Sequence, residues 1–333
     1  MATISDVSRI AGVSKATVSR VINGTGPVKQ STRDLVESVM KDLKYKPSSV
    51  AQALATKSGN SIGLVLSDFT GSYFGILLKQ ASVSSEKMGK QLLIADGHNL
   101  AEQELAAVHS LVEKRCDVIV LYSRMLTSEQ VIALNRSIDI PLINVGRQLP
   151  PEAGSSIAFD QQHAISMAVE HLVEQGHQRL LYLGPEATTP TSTSRKDGFY
   201  RTAEKYPELI GNIAHQPCAF GFIEGYEATQ ALIAKGLDCS AIVAGADDIA
   251  IGCIKALTEH GVAVPQQISV IGIDNDPCSP FITPSLTTVD IPIQSMMERA
   301  MEVAQSLAES QTSPASEVIQ GQLIIRHSTQ SIT

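Results

Sequence analysis

The first pattern along the chain is helical. Val7, Ile10 and Ala11 recur at the spacing of one apolar helix face, Thr3 stands ahead of them as an N-cap, and Asp6 falls at the place of a capping-box acid. Gly12 breaks that helix, and Ser14 caps a second in which Val18, Val21 and Ile22 face inward. Lys15, Ala16, Thr17, Ser19, Arg20 and Asn23 are left on its outer face. After loop chemistry in Asn23-Gly24-Thr25-Gly26-Pro27, Ser31 and Asp34 open a third helix carrying Leu35, Val36, Val39, Met40 and Leu43 inward, and Pro47 ends the unit. The next stretch, 48–56, is Ala-rich and lies between Pro47 and Lys57-Ser58-Gly59-Asn60; it is too short to be more than marginal as an isolated helix.

From Ser61 the texture changes. Apolar runs at 62–66, 92–95, 118–122 and 142–145 are separated by helical stretches at 74–87, 100–114 and 128–136. Continuous apolar strands alternating with helices predict a parallel sheet covered on both faces. The pattern then repeats, with strands at 180–183, 241–244 and 269–273 among helices at 163–174, 194–206, 225–234 and 249–260. Residues 286–291 are expected to cross back to the first lobe, 295–307 to add a helix to it, and 317–326 to supply closing strands. The fold class is therefore α/β: a three-helix headpiece, then a body of two doubly wound parallel sheets.

Composition sharpens this picture at three points. A chain of 333 residues with 43% apolar residues is long enough for two or three compact units with real cores. No run approaches the ~18–20 apolar residues of a membrane span, and no basic-then-apolar leader opens the chain, so a cytoplasmic protein with no membrane partner is expected. Five cysteines, Cys116, Cys218, Cys239, Cys253 and Cys278, are odd in number and never spaced as Cys-x-x-Cys, which argues against a disulfide framework and a zinc site.

Charge divides the chain. The first sixty residues hold nine Lys and Arg against four Asp and Glu, whereas the remainder holds 17 against 30, within a net charge of −8. That asymmetry assigns a polyanion to the front of the chain and leaves the acidic body for something else. The outer face of the second helix suits a DNA major groove, since Lys and Arg reach guanine edges while Ser, Thr and Asn bond phosphate oxygens. A helix-turn-helix is the reading; an ordinary helical hairpin fits the same spacing.

In open parallel sheets ligands lie beyond the carboxyl ends of strands. The residues there are Ser67, Asp68 and the loop to Tyr73-Phe74; Asp96 to His98; Tyr122, Ser123 and Arg124; Asn144 to Arg147; Ala246-Asp247-Asp248; and Asp274-Asn275. That mixture of carboxylates, amides, arginine and rings resembles a sugar site. Neither a phosphate-binding G-x-x-x-x-G-K-[ST], a dinucleotide G-x-G-x-x-G nor a Gly-x-Ser-x-Gly elbow occurs, and the eight histidines are dispersed. No cofactor, metal or catalytic residue is expected.

The segment from Ile4 to Asn23, with Pro27-Val28, the third-helix stretch, Pro47 and Val50-Ala-Gln-Ala-Leu-Ala55, closely resembles the headpiece of the lactose/galactose repressor (LacI/GalR) family, and the likeness runs along nearly the whole chain. The body looks most like the galactose and β-glucoside branches, notably in Gln91-Leu-Leu-Ile-Ala-Asp-Gly97 and Arg115-Cys-Asp-Val-Ile-Val120. The resemblance implies a headpiece over 1–47, a hinge helix and linker over 48–60, and a body of the periplasmic-binding-protein type. Its first lobe would be 61–159 with 290–318, its second 160–289 with 319–333. It implies duplex operator DNA as partner, read by Lys15, Ala16, Thr17, Ser19, Arg20 and Asn23, with Leu54 of the hinge wedged into the minor groove. The plainer alternative for Leu54 is a linker residue packed in the body.

For the cleft, the resemblance implies Arg195 and Asp274 as effector contacts, Asn144 where a carboxylate or amide usually lies, Phe220 lining the pocket, and Tyr73 or Phe74 facing it from the other lobe. Asp247 joins this set. Against it stand plainer roles: a solvated helix charge for Arg195, capping for Asp247 and Asp274, and core packing for the rings. The family usually has Asn-Asp before its Ala-Ile-Gly helix, and here Ala246 replaces the amide. A sugar or glycoside inducer is the expected ligand. No leucine heptad trails Arg326, so a homodimer is expected. A co-repressor-dependent, purine-type repressor, a solute-binding protein and a doubly wound enzyme are the alternatives.

Overall fold

The computed structural model describes residues 2–45, 59–309 and 316–332; the expected hinge helix with Leu54 lies outside the described residues. The headpiece is α1 (Ile4–Ala11), α2 (Lys15–Asn23) and α3 (Gln30–Asp42). Thr3 and Asp6 form a reciprocal capping box, Gly12 ends α1 at φ 63°, and the Ser14 hydroxyl accepts from the Thr17 N–H. Val7, Ala11, Val18, Val21, Val36 and Val39 make the shared core. Two residues expected inward are not: Ile10 is 50% and Leu35 47% exposed, because the stripe that three short helices can bury is narrower than the apolar pattern. The third helix also starts at Gln30, whose side-chain amide donates to Asp34 at 2.7 Å, and not at Ser31.

The first sheet holds β1 (Ser61–Leu66), β2 (Gln91–Asp96), β3 (Val118–Tyr122), β4 (Leu142–Gly146), β5 (Ser155–Phe159) and β11 (Glu317–Ile319), in the order β11-β5-β4-β3-β1-β2. All its pairs are parallel. Ile62, Leu64 and Leu66 pack with Phe74 and Leu77 of α4 (Gly71–Lys87) and Met297 and Met301 of α11 (Ile293–Ala308). Val65, Ile119 and Leu121 turn to the other face, against α5 (Ala101–Glu113) and α6 (Ser128–Ser137). Burial on both faces is why these strands read as unbroken apolar runs.

The second sheet holds β6 (Leu180–Gly184), β7 (Ile213–Pro217), β8 (Ala241–Ala244), β9 (Ser269–Asp274), β10 (Thr287–Asp290) and β12 (Gln322–Ile324), ordered β12-β10-β9-β8-β6-β7. Only β12 runs antiparallel within it. It is covered by α7 (Gln161–Glu174), α8 (Pro190–Ala203), α9 (Phe222–Lys235) and α10 (Asp247–Glu259). The stretch expected to cross back, 286–291, first contributes β10 to this sheet, pairing with β9, and the chain leaves after Asp290. Strands β5 and β7 were not expected: β5 opens on two serines, and β7, Ile-Ala-His-Gln-Pro, is a half-exposed edge.

Three strand ends meet where the chain passes between the lobes. Gly321 lies against the Asp290 carbonyl and the Phe159 ring, and a Cβ there would stand 2.0 Å from the carbonyl oxygen and 2.8 Å from the ring. Backbone must therefore move to admit any side chain. Gly321→Ala is expected to cost about 1–3 kcal/mol, the range for overpacking, read as a lower urea midpoint at unchanged slope.

Candidate DNA-reading helix and interlobe cleft

On the outer face of α2, Lys15, Ala16 and Arg20 are exposed, whereas Thr17, Ser19 and Asn23 are half-buried. The Thr17 hydroxyl shares a 2.9 Å hydrogen bond with Ser14, and the Asn23 amide donates to Ser19 Oγ at 3.2 Å. Local bonds thus hold the short polar groups, while the two cations extend freely.

The cleft between the lobes is a cavity of about 600 Å³. Its walls include Tyr73, Phe74, Arg195, Phe220, Asp247 and Asp274, together with Asp68, Tyr122, Arg124, Asp248 and Asp276. From the first lobe, the rings of Tyr73, Phe74 and Tyr122 stand 5.7 Å apart in a mutual cluster. Asp68 shapes the β1–α4 loop by accepting from the Phe69 and Thr70 N–H groups, the Thr70 hydroxyl and the Asn99 amide. Burial pushes its carboxyl up, but those bonds, led by the Thr70 N–H, hold it below the usual range.

Buried Glu104 accepts from the hydroxyls of Ser67 and Ser123, tying the ends of β1 and β3 together, and Ser67 Oγ accepts from the Arg124 N–H at 2.7 Å. Arg124 is thereby aimed across the opening. Its guanidinium carbon lies 4.7 Å from the Phe74 ring centre and 5.3 Å from that of Phe220 in the opposite lobe. Sequence reading placed Arg124 among strand-end residues but not in the selected site, because nothing local relates it to Phe220.

Arg195 is 4% exposed and fully engaged on one side. Its Nε donates to Gln161 Oε1 at 2.8 Å, Nη1 to the Gly245 carbonyl and Nη2 to Asp274 Oδ1 at 2.9 Å. Asp274 holds φ 118° and Asn275 φ 53°, a left-handed kink that turns the end of β9 toward the cleft at some cost in strain. Burial raises the Asp274 carboxyl above its ordinary range despite the pull of Arg195. A hydrogen bond from Ser72 Oγ to Asp276 closes the rim between lobes.

Two expected contacts are placed elsewhere or otherwise occupied. Asn144 does not line the cleft: it is 3% exposed, and its amide donates to the Ala153 carbonyl at 2.9 Å. β4 runs two residues beyond it to Gly146, whose backbone lies against the Tyr122 ring. Asp247 lines the cleft but spends its oxygens internally, accepting from Thr288 Oγ1 at 2.6 Å, the Asp276 N–H at 2.8 Å and Ser279 Oγ at 2.5 Å. Burial, then nearby Asp274, pushes its carboxyl up to about 7. Asn275 is likewise committed, donating to Asp290 and accepting from Arg326. Asp248, two residues after Ala246, accepts among the described residues only from the Ile249 N–H, and burial followed by Asp274 pushes it up to about 6.

Among the described residues, no group of His, Cys, Asp and Glu is arranged to hold a metal ion, and no helix is long and apolar enough to cross a membrane.

Two family models match the chain: bacterial regulatory proteins of the lacI family over residues 3–48, and a periplasmic binding protein-like domain over 169–329. The chain is 37% identical to the HTH-type transcriptional regulator AscG of Escherichia coli over 305 residues, covering 90% of this chain and 89% of that protein. It is 33% identical to the regulator GalR of the same organism, covering 98% and 96%. A crystal structure of the lac repressor dimer bound to operator and the anti-inducer ONPF superposes with a TM-score of 0.88 at 26% identity, covering 99% of each chain. With a headpiece and a two-lobed body both matched, and with AscG and GalR aligned over most of their length, the chain belongs to the LacI family of bacterial transcriptional regulators.

Proposed function

We propose that the protein is a homodimeric, cytoplasmic repressor of sugar-utilisation genes that releases its operator when a sugar enters the cleft, and that it has no catalytic activity. The headpiece is residues 1–47, joined through 48–60 to a body whose lobes are 61–159 with 290–318 and 160–289 with 319–333. Lys15, Ala16 and Arg20 meet bases in the major groove, Thr17, Ser19 and Asn23 support the phosphate side, and Leu54 wedges the operator centre. The observation that carries the reading is the joining of an exposed cationic helix face to a cleft in which an Arg195–Asp274 pair faces three aromatic rings. Carboxylate and guanidinium pair with sugar hydroxyls, and rings cover apolar sugar faces.

Asp248 takes the role of the amide that Ala246 lacks. Its second oxygen has no partner among the described residues, and it lines the same wall. Tyr73, Phe74, Arg195, Phe220 and Asp274 complete the effector set, with Asp247 holding the loop behind them.

Titrating labelled promoter fragments with and without sugars tests the scheme. By linkage, operator must weaken sugar binding by the same factor that sugar weakens operator binding. Equal sugar affinity with and without operator would refute induction, and tighter operator binding with ligand would make the protein a co-repressor type. Within the headpiece, Arg20→Ala is expected to cost about 1–3 kcal/mol and to relax preference at one base position. Lys29→Ala, if it meets phosphate, should weaken all sequences alike and reduce the salt slope by about one. Footprints on mutated operators separate the two.

A further inference from the structure

We propose that the effector is a two-unit ligand, a disaccharide rather than a single sugar ring, with its second unit in a separate room of the cleft. This rests on the sugar reading above. Beside the first cavity lies another of about 580 Å³, and the two share Met125, Thr189 and Thr191 as walls. Both volumes fall within the roughly 300–1,000 Å³ of ordinary ligand pockets, so the division of the ligand between the rooms rests on what lines them.

The chemistry of the second room differs from that of the first. The rings gather in the first room. In the second, the one aromatic wall residue, Phe159, is 4% exposed, and Leu149 is 5% exposed. The reachable surface mixes hydroxyl and amide groups, contributed by the loop into α6, the residues after β4 and the start of α8, with apolar walls from Met125, Pro190 and Val318, the last 42% exposed. The side chains of Gln148, Gln162, Thr193 and Ser194 line it and have no hydrogen-bond partner among the described residues. They offer both donors and acceptors, which fits a polyol whose hydroxyls they meet while its apolar face rests on those walls. Arg147 fixes the floor, its guanidinium donating to the Leu126 carbonyl. The only carboxylate on the wall, Asp160, is occupied as the cap of α7, accepting from the His163 N–H at 2.9 Å. Thr189 and Thr191 stand between the rooms, where a glycosidic bond would pass.

The test is calorimetric titration of the full chain with methyl α- and β-glucosides and galactosides, against cellobiose, lactose, maltose and melibiose. The expected result is that the preferred disaccharide binds at least about tenfold more tightly than the methyl glycoside of its first ring, the gain of one or two net hydrogen bonds. Thr193→Val and Gln148→Leu, placed on different segments so that one misfolded variant does not decide the matter, should each remove about tenfold of the disaccharide affinity while shifting methyl glycoside affinity less than about twofold. Equal affinity for one- and two-ring ligands, or variants that weaken both alike, would overturn the second room while leaving the sugar reading intact. Failure of every methyl glycoside and every disaccharide to bind would overturn the sugar reading itself.

Discussion

Arg195→Ala should abolish the response to effector and lower the stability of the body by about 3–5 kcal/mol, the cost of removing one partner from a buried ion pair. The size follows from what the guanidinium holds. It bonds Gln161 at the start of α7, the Gly245 carbonyl at the end of β8 and Asp274 at the end of β9. Removing it leaves a carboxylate, a carbonyl and an amide oxygen without that donor at the wall of the cleft, where only the Asp274 side chain, 20% exposed, is reached by water. Arg195→Lys should restore part of the stability but little of the response, because the three N–H donors of an ammonium diverge from one nitrogen, whereas the three acceptors here are placed around the three nitrogens of a planar fork. Operator binding at temperatures well below the new transition should persist, since every Arg195 bond lies inside the body. Thermal unfolding and operator titration on the same preparation check this. A variant with wild-type stability and an intact response would show that the arginine is neither clasp nor ligand contact.

The contrast between Arg195 and Asn144 marks what the sequence makes legible. Strand cores were readable because burial on both faces leaves runs such as Leu64 to Leu66 without polar interruption. Arg195, Asp274 and Phe220 were readable through a resemblance, and the structure brings them to one wall. Asn144 was given a place in the cleft by resemblance, but it lies inside β4, which runs on through Val145 to Gly146, and its amide turns toward the Ala153 carbonyl. A side chain inside a strand goes to whichever face its register sets, and a likeness in sequence does not fix whether that face serves ligand or scaffold. Edge strand β7 stayed hidden because half of its surface is wet and His215, Gln216 and Pro217 cut its apolar start to two residues. The position of Arg124 was unreadable for another reason: its partner Phe220 is far away in sequence and in the other lobe, and no local pattern encodes a contact across a cleft. Ile10 and Leu35 show the opposite limit, since periodicity names a face but not how much of it neighbours can cover.

Asp247→Asn should flatten the dependence of stability on pH between about 4 and 7, leaving stability below about pH 4 almost unchanged and raising it above. In the folded protein burial pushes the Asp247 carboxyl from its ordinary 3.8 up to about 7, so across that window the native state retains a proton that the unfolded chain has released. Stability therefore falls as pH rises from about 4 to about 7 and is level above it, with one pKa unit corresponding to about 1.4 kcal/mol and an upper limit near 4 kcal/mol for this group. Asp248, pushed up to about 6, adds a loss of the same sign over a shorter window that the variant retains. Asparagine mimics the protonated acid: its carbonyl oxygen accepts from the Asp276 N–H and Ser279, and its amide donates to the Thr288 oxygen, the positions that the two carboxyl oxygens occupy now. The consequence reaches the cleft, because the same carboxyl fixes the backbone of Asp276, which takes the hydrogen bond from Ser72 across the rim. Ionising Asp247 sets a second buried negative charge beside Asp274 on the cleft wall, so effector affinity in the wild type should change through the same window while the Asn variant follows only the Asp248 and Asp274 titrations. Urea unfolding and effector titration at half-unit pH steps measure both; parallel curves for the two proteins would mean that Asp247 is ionised throughout and that its three donors outweigh its burial.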